Sequence, residues 1–263
     1  MRKKRKTERP ASVVRVLGLA GLPEISPGAD LAEALLVAAK RHGRVFQDGD
    51  VVVVAQKIVS KAEGCLVPLS AVNPSAAARR IAKQMRKDPR FIEVVLRESK
   101  RVVRRNERVL IVETHHGFVC ANAGVDRSNA GASDCVTCLP RDPDGSAKHL
   151  AAALRQRTGK RVAVIISDTF GRPWRLGLTN VALGAAGLGV LRDLRGEKDA
   201  SGCRLSATVL AVADELAAAA GLVMGKTERV PVAIVRGYRY APANPGAKRA
   251  RDLIRPAAED LFR

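Results

Sequence analysis

Aromatic residues are scarce. The chain of 263 residues has one Trp, two Tyr and five Phe. Few rings are left to stack on unpaired bases, which argues against a single-strand nucleic-acid binder. With 46% hydrophobic residues, the core must instead be built from Ala, Val, Leu and Ile. No apolar run reaches the ~18 residues of a membrane span. The basic start, Met1-Arg-Lys-Lys-Arg-Lys6, is not followed by the apolar segment of a secretory signal. These absences point to a cytoplasmic protein with no membrane partner. Five cysteines are an odd number outside any secreted context, so a disulfide framework is not expected. Cys135 and Cys138 form a Cys-x-x-Cys pair, but no second pair completes a zinc site. His115 and His116 are the nearest alternatives, and ordinary core thiols are the simpler reading. Acidic residues are also in short supply, 26 against 46 Lys and Arg, giving a net charge of +20. That balance favours anionic partners such as nucleotides, phosphorylated small molecules or nucleic acid.

The length allows one large domain or two lobes with a real core. Residues 1–12 form a basic tip expected to lack fixed structure, and residues 13–263 form the folded unit. Strand and helix signals alternate, which predicts a mixed α/β (α+β) architecture. Ser12 to Gly18 reads as a strand. Asp30 caps a helix from Leu31 to about His42, ended by Gly43. Val51 to Ala55 reads as a strand buried on both faces. Pro74 and Pro89 each open a helix at its first position, reaching about Lys87 and Lys100. Val109 to Glu113 and Phe118 onward read as strands. A helix covers Ala147 to Arg157, stopped by Gly159. Thr208 to Met224 is helical, Pro231 to Val235 is a strand, and Arg249 to Phe262 is a last helix broken at Pro256.

The chemistry concentrates between Ile165 and Leu205. An apolar run, Val162 to Ile166, delivers Asp168 and Thr169 to its carboxyl end, before a turn marked by Gly171 and Pro173. Acid and hydroxyl oxygens suit hard cations. Arg172 and Arg175 follow, and guanidinium groups suit phosphate or carboxylate. The bland alternative is a strand with a polar loop. A second strand ends in a loop carrying Asn122, Asp126 and Asn129, and the two acids together make a candidate split metal site. Gln56, Lys57 and Lys61 leave the buried Val51–Ala55 run, where they either meet an anion or are simply solvated. Ala220 to Thr227 loosely resembles a phosphate loop, but the helix precedes it and the strand follows, the reverse of that motif. Gly225 and Lys226 remain as phosphate contacts. Gly184, Gly187 and Gly189 do not have the dinucleotide spacing, and close packing explains them better.

Together the motifs resemble one family. They are Gly21-Leu-Pro-Glu-Ile25, Gln56-Lys-Ile-Val-Ser-Lys-Ala-Glu-Gly64, the stretch from Glu113 to Asn129, Ile166-Ser-Asp-Thr-Phe-Gly-Arg-Pro-Trp-Arg175, Asp193 to Gly196, Asp199, Gly202, Asp214-Glu215, Met224-Gly-Lys226 and Pro231 to Gly237. Over Val13 to Gly237 the chain is similar to coenzyme F420-0:γ-glutamyl ligases. The resemblance implies a GTP-dependent non-ribosomal peptide ligase that joins L-glutamate to coenzyme F420-0 through an acyl phosphate, releasing GDP and phosphate. It implies two divalent cations, Mg or Mn, with K as a monovalent cation. It also implies a homodimer of α/β subunits, each made of two intertwined lobes. The chain is too short for the nitroreductase-like domain of some relatives, so the stand-alone form is expected.

By the same resemblance, Asp126 and Asp168 hold the metals with Thr169 beside them, and Asn129 contacts GTP. Leu22, Pro23, Glu24, Ile25, Gln56, Lys57, Lys61 and the loop with Gly225, Lys226 and Thr227 line the nucleotide. The loop from Lys226 to Val230 lacks glycines common in relatives, which leaves its contacts open. Two other readings stand beside this one. They are a ligase of the same fold with a different anionic acceptor, and a basic nucleic-acid-binding protein.

Overall fold

A computed structural model describes residues 13–127, 134–241 and 249–261. The basic tip and Asn129 therefore lie outside the described residues. The elements run β1 (Arg15–Leu19), α1 (Leu31–Arg41), β2 (Val51–Ala55), α2 (Gln56–Ala62), β3 (Leu66–Pro68), α3 (Ala76–Met85), α4 (Pro89–Arg97), β4 (Ser99–Arg105), β5 (Leu110–Thr114), β6 (Val119–Ala121), β7 (Cys135–Thr137), α5 (Pro143–Thr158), β8 (Ala163–Arg172), β9 (Arg175–Ala186), β10 (Arg192–Asp193), β11 (Val209–Leu210), α6 (Val212–Met224) and β12 (Val232–Arg236). The architecture is mixed α/β, as the alternation of signals predicts.

The main sheet has the order β1-β12-β2-β8-β9. Only β2 and β8 are parallel, and the other pairs are antiparallel. Its central strands are apolar at consecutive positions because both faces are covered. Val52, Val54, Val164, Ile166 and Ile234 pack with Leu35 of α1 and Leu150 and Leu154 of α5. The alternate residues Val51, Val53, Ile165, Ala233 and Val235 pack with Leu216, Ala217 and Ala220 of α6. A separate cluster joins α3 and α4 to the smaller sheets, through Ile81, Phe91, Ile92, Leu110, Val112 and Val136. Phe118, beside β6, meets Phe170 of β8 edge to face with ring centroids 6.2 Å apart.

Several boundaries differ from expectation for physical reasons. α3 begins at Ala76 because Ser75 caps it, accepting from the Ala78 N–H, so Pro74 precedes the cap. α4 does have Pro89 in its first turn, with Asp88 as cap, but it stops at Arg97. The residues beyond it form β4, paired with β5. α5 starts four residues earlier than expected, capped by Asp142, and ends at Gly159 with φ 69°. α6 starts only at Val212, after the two-residue strand β11. β8 does not end near Ile166. It continues through Asp168 and Thr169 to Arg172, then turns tightly at Pro173 and Trp174 into β9. No terminal α-helix forms over 249–261. Two short 3-10 turns, Ala250–Leu253 and Ala257–Glu259, stand on either side of Pro256.

Candidate functional site

Because β2 and β8 are parallel, their carboxyl ends open on the same side, with Ala55 opposite Ser167. The antiparallel β12 starts there too, and the Ala55 N–H donates to the Pro231 carbonyl at 2.8 Å. The sheet thus gathers three segments at one edge: the start of α2, the middle of β8 and the loop between α6 and β12.

α2 follows β2 without a loop, which fixes Gln56, Lys57 and Lys61. Gln56 is buried, and its Oε1 accepts from the Ser60 hydroxyl at 2.8 Å. Its Nε2 has no partner among the described residues. A buried amide left this way is costly unless something else binds it. Lys57 Nζ lies 2.5 Å from Asp126 Oδ2. Two backbone hydrogen bonds to Thr137 of β7, at 3.0 and 2.8 Å, hold Asp126 in place. Lys61 is buried and paired with Glu24. That pair, with the Gly28 N–H donating to the Ala62 carbonyl at 2.8 Å, ties the loop of Leu22, Pro23, Glu24 and Ile25 to α2. Leu22 packs against the core and Ile25 is buried, whereas Pro23 and Glu24 are exposed.

On β8, the Thr169 hydroxyl donates to Asn180 Oδ1 of β9 at 2.9 Å and accepts from Lys226 Nζ. Gly225 ends α6 with φ 57°, and the Lys226 and Thr227 N–H groups both donate to Glu228 Oε2, at 2.8 and 2.9 Å. Loss of solvent pushes the Asp168 carboxyl up to about 6. The Thr169 N–H, Lys226 and Lys57 pull it down, while the charge of Asp126 pushes it further up. Two acids that are 42 positions apart in the chain therefore share one electrostatic neighbourhood with two lysines.

Of the expected site residues, Leu22 to Ile25, Gln56, Lys57, Lys61, Asp126, Asp168, Thr169, Gly225, Lys226 and Thr227 all belong to these converging segments. Arg172 and Arg175 do not join the cluster. They are exposed at the hairpin tip, four residues or about 13 Å of extended strand beyond Asp168. Asn180 and Glu228 were not foreseen. Asn180 stands directly opposite Thr169 in the β8–β9 register, so pairing the two arms of the hairpin would have found it. Glu228 has no such signal, because its role depends on the loop's shape. His115 and His116 bond backbone carbonyls of Arg97 and of Pro140 and Arg141. Cys138 is buried, and burial pushes its thiol up to about 12, as expected of a core residue.

Among the described residues, no three His, Cys, Asp or Glu side chains form a ready metal cage. The oxygens present would nevertheless suit a cation whose remaining ligands come from a substrate. Magnesium is commonly held by one or two carboxylates together with substrate phosphates and water. Asp126, Asp168 and the Thr169 hydroxyl are such oxygens, and lysines now balance their charge.

A family model described as F420-0:Gamma-glutamyl ligase matches residues 21–237. The coenzyme F420:L-glutamate ligase of Methanothermobacter thermautotrophicus is 45% identical over 251 residues, 95% of this chain and 99% of that protein. The protein of the same name from Methanopyrus kandleri is 45% identical over 242 residues, 91% and 94% of the two chains. The one from Methanocaldococcus jannaschii is 42% identical over 251 residues, 95% and 97%.

Proposed function

The chain belongs to the F420-0:γ-glutamyl ligase family, and from that premise we propose that it joins L-glutamate to coenzyme F420-0, with GTP as the activating nucleotide. The observation that carries the reading is the meeting of Asp126, Asp168, Thr169, Lys57 and Lys226 where β2, β8 and the α6–β12 loop converge. A carboxylate does not condense with an amine at neutral pH until it is activated. In the proposed reaction a substrate carboxylate oxygen attacks the γ-phosphorus of GTP, and GDP leaves. The glutamate amine then attacks the acyl carbon, and phosphate leaves. Phosphoryl transfer asks the protein mainly for positioning and for balancing charge. Divalent Mg or Mn, held by Asp126, Asp168 and Thr169, would supply charge neutralisation at the phosphates.

The chain's own residues do the rest. Lys57 and Lys226 stand beside these oxygens, where their ammonium groups can turn to phosphate oxygens. Glu24 fixes Lys61, and the Nε2 of Gln56, without a partner among the described residues, offers a donor to the nucleotide. No side-chain nucleophile is required, consistent with the backbone-bonded histidines and protonated core thiols. A monovalent K ion belongs to the same proposal, without residues assigned to it.

The homodimer of two-lobed subunits is likewise proposed. It is supported by the hairpin tip, where Trp174, Leu176 and Leu178 are 86%, 99% and 66% exposed. Light scattering of the purified chain tests it: a monomer at micromolar concentration would remove it. Function is tested by incubation with GTP, Mn, glutamate and F420-0, read by mass spectrometry. Added glutamyl units and GTP-dependent GDP release are expected. Glutamylation that proceeds without any nucleoside triphosphate would overturn the nucleotide assignment. Failure to extend F420-0 would favour another anionic acceptor.

A further inference from the structure

At the opposite end of the main sheet lies a cavity of about 880 Å³. It is bounded by the amino ends of β2 and β8, the carboxyl end of β12 and the last turns of α5. The length of β2 separates it from the site described above, about 17 Å at ~3.3 Å per residue. Its volume lies within the usual range for small-molecule sites. Ala151, Ala152, Val162 and Gly187 give it an apolar wall.

Four arginines face two aspartates around this cavity. One pair is closed: Arg236 Nε and Nη2 donate to the two Asp50 oxygens, each at 2.8 Å. Asp48 accepts the Arg161 backbone N–H at 2.7 Å and pairs with no guanidinium among the described residues. Arg155, Arg161 and Arg239 therefore line the cavity with their guanidiniums unpaired among the described residues. Three guanidiniums against one remaining carboxylate, Asp48, leave an excess of positive charge that suits a phosphate or carboxylate ligand. The cavity also contains Tyr238 and Tyr240, which are the only two tyrosines of the chain. Both are partly buried and pack against the core cluster beneath α6. In so ring-poor a sequence, two tyrosines flanking Arg239 place aromatic surface beside unpaired positive charge.

We propose that this cavity is a second ligand site, distinct from the proposed catalytic one, for a mononucleotide. Arg155, Arg161 and Arg239 take the phosphate, and the Tyr238 and Tyr240 rings flank the base. A solvated basic face would need neither a cavity of this size nor two tyrosines in its lining.

The test uses the full chain and 8-azido-AMP as a photoprobe, with labelled peptides mapped by mass spectrometry. Label is expected on residues 237–240. The double variant Arg155→Glu, Arg239→Glu reverses two exposed charges and should cut that label at least tenfold. Labelling of the segments around Gln56 and Lys226, where it occurs, should stay unchanged. Folding of the variant is checked by its unreduced melting temperature. The inference is overturned if residues 237–240 carry no label, or if the folded variant is labelled there as strongly as the parent.

Discussion

The ammonium of Lys57 lies 2.5 Å from the carboxylate of Asp126. One residue comes from the helix that leaves β2, and the other from a segment pinned to β7. Asp168 lies within electrostatic reach of both. Without Asp126, Lys57 has Asp168 as its remaining nearby acid. Without Asp168, Lys57 and Asp126 can still neutralise each other.

The two acids should therefore differ when mutated. Asp168→Asn removes a charge and preserves shape, so the fold should stay intact while glutamylation falls by at least two powers of ten, equivalent to ~2.7 kcal/mol or more. Asp126→Asn should lose activity similarly and also release Lys57. Steady-state rates at saturating GTP and Mn, with circular dichroism as the control, check this. Full activity in folded Asp168→Asn would refute the role given to that carboxylate.

Gly184 lies against the start of α5. A Cβ there would stand 2.1 Å from the Pro143 carbonyl oxygen and 2.7 Å from the Asp144 backbone nitrogen. Both obstacles are backbone, so no side chain can swing aside. Moving α5 would also strain the bond from the Ala185 N–H to Asp144 Oδ1, 2.9 Å long. Gly184→Ala should destabilise the protein by ~3 kcal/mol, at the upper end for overpacking. Gly189→Ala, whose new methyl would find nothing closer than 3.7 Å, should change stability by no more than ~0.5 kcal/mol. Urea midpoints for the two variants test the contrast.

Asp88 is held down to about 2, chiefly by its hydrogen bond from the Arg90 side chain, helped by the Arg90 backbone N–H and by Arg127. A carboxylate with a lower pKa folded than unfolded contributes stability above its unfolded value. That contribution is lost as pH falls from about 4 to about 2. The shift sets a ceiling near ~2 kcal/mol, and solvent screening at this part-exposed cluster reduces it to ~1 kcal/mol. Asp88→Asn can still cap α4, so it isolates the charge. The variant should be less stable than the parent at pH 6, and most of the gap should close by pH 2. A gap independent of pH would show that the charge contributes nothing.

The sheet's centre was legible because its strands are buried on both faces. Val51 to Ala55 and Val232 to Val235 therefore read as apolar runs, and Asp30 and Gly43 bracket α1. β4 was not legible, because Ser-Lys-Arg-Val-Val-Arg-Arg shows mainly charge, and its pairing is decided by β5. The terminal segment has residues that favour a helix locally, yet only Ala250 of its two 3-10 turns is buried, so too little packing holds a helix there. The acids of the candidate site were legible as polar residues following apolar runs. Lys57 facing Asp126, and Lys226 facing Thr169, were not. Those pairings depend on which strand ends the parallel β2–β8 alignment brings to the same edge, and no local spacing encodes that.

Asp50 is 1% exposed, and its charge is met by the two-pronged donation of Arg236 and by the Gln47 N–H at 2.8 Å. Arg236→Met keeps much of the side-chain volume but strands a buried carboxylate, which should cost ~3–5 kcal/mol. Adding Asp50→Leu removes the stranded charge, so the double variant should recover at least half of that loss. The pair lies at the end of the sheet opposite Asp126 and Asp168. Glutamylation per folded molecule should therefore stay unchanged in both variants at a temperature well below their melting points. Denaturation midpoints combined with active-fraction rates separate the two effects. A double variant no more stable than Arg236→Met would mean that the loss comes from packing around Arg236, and that the buried charge does not cause it.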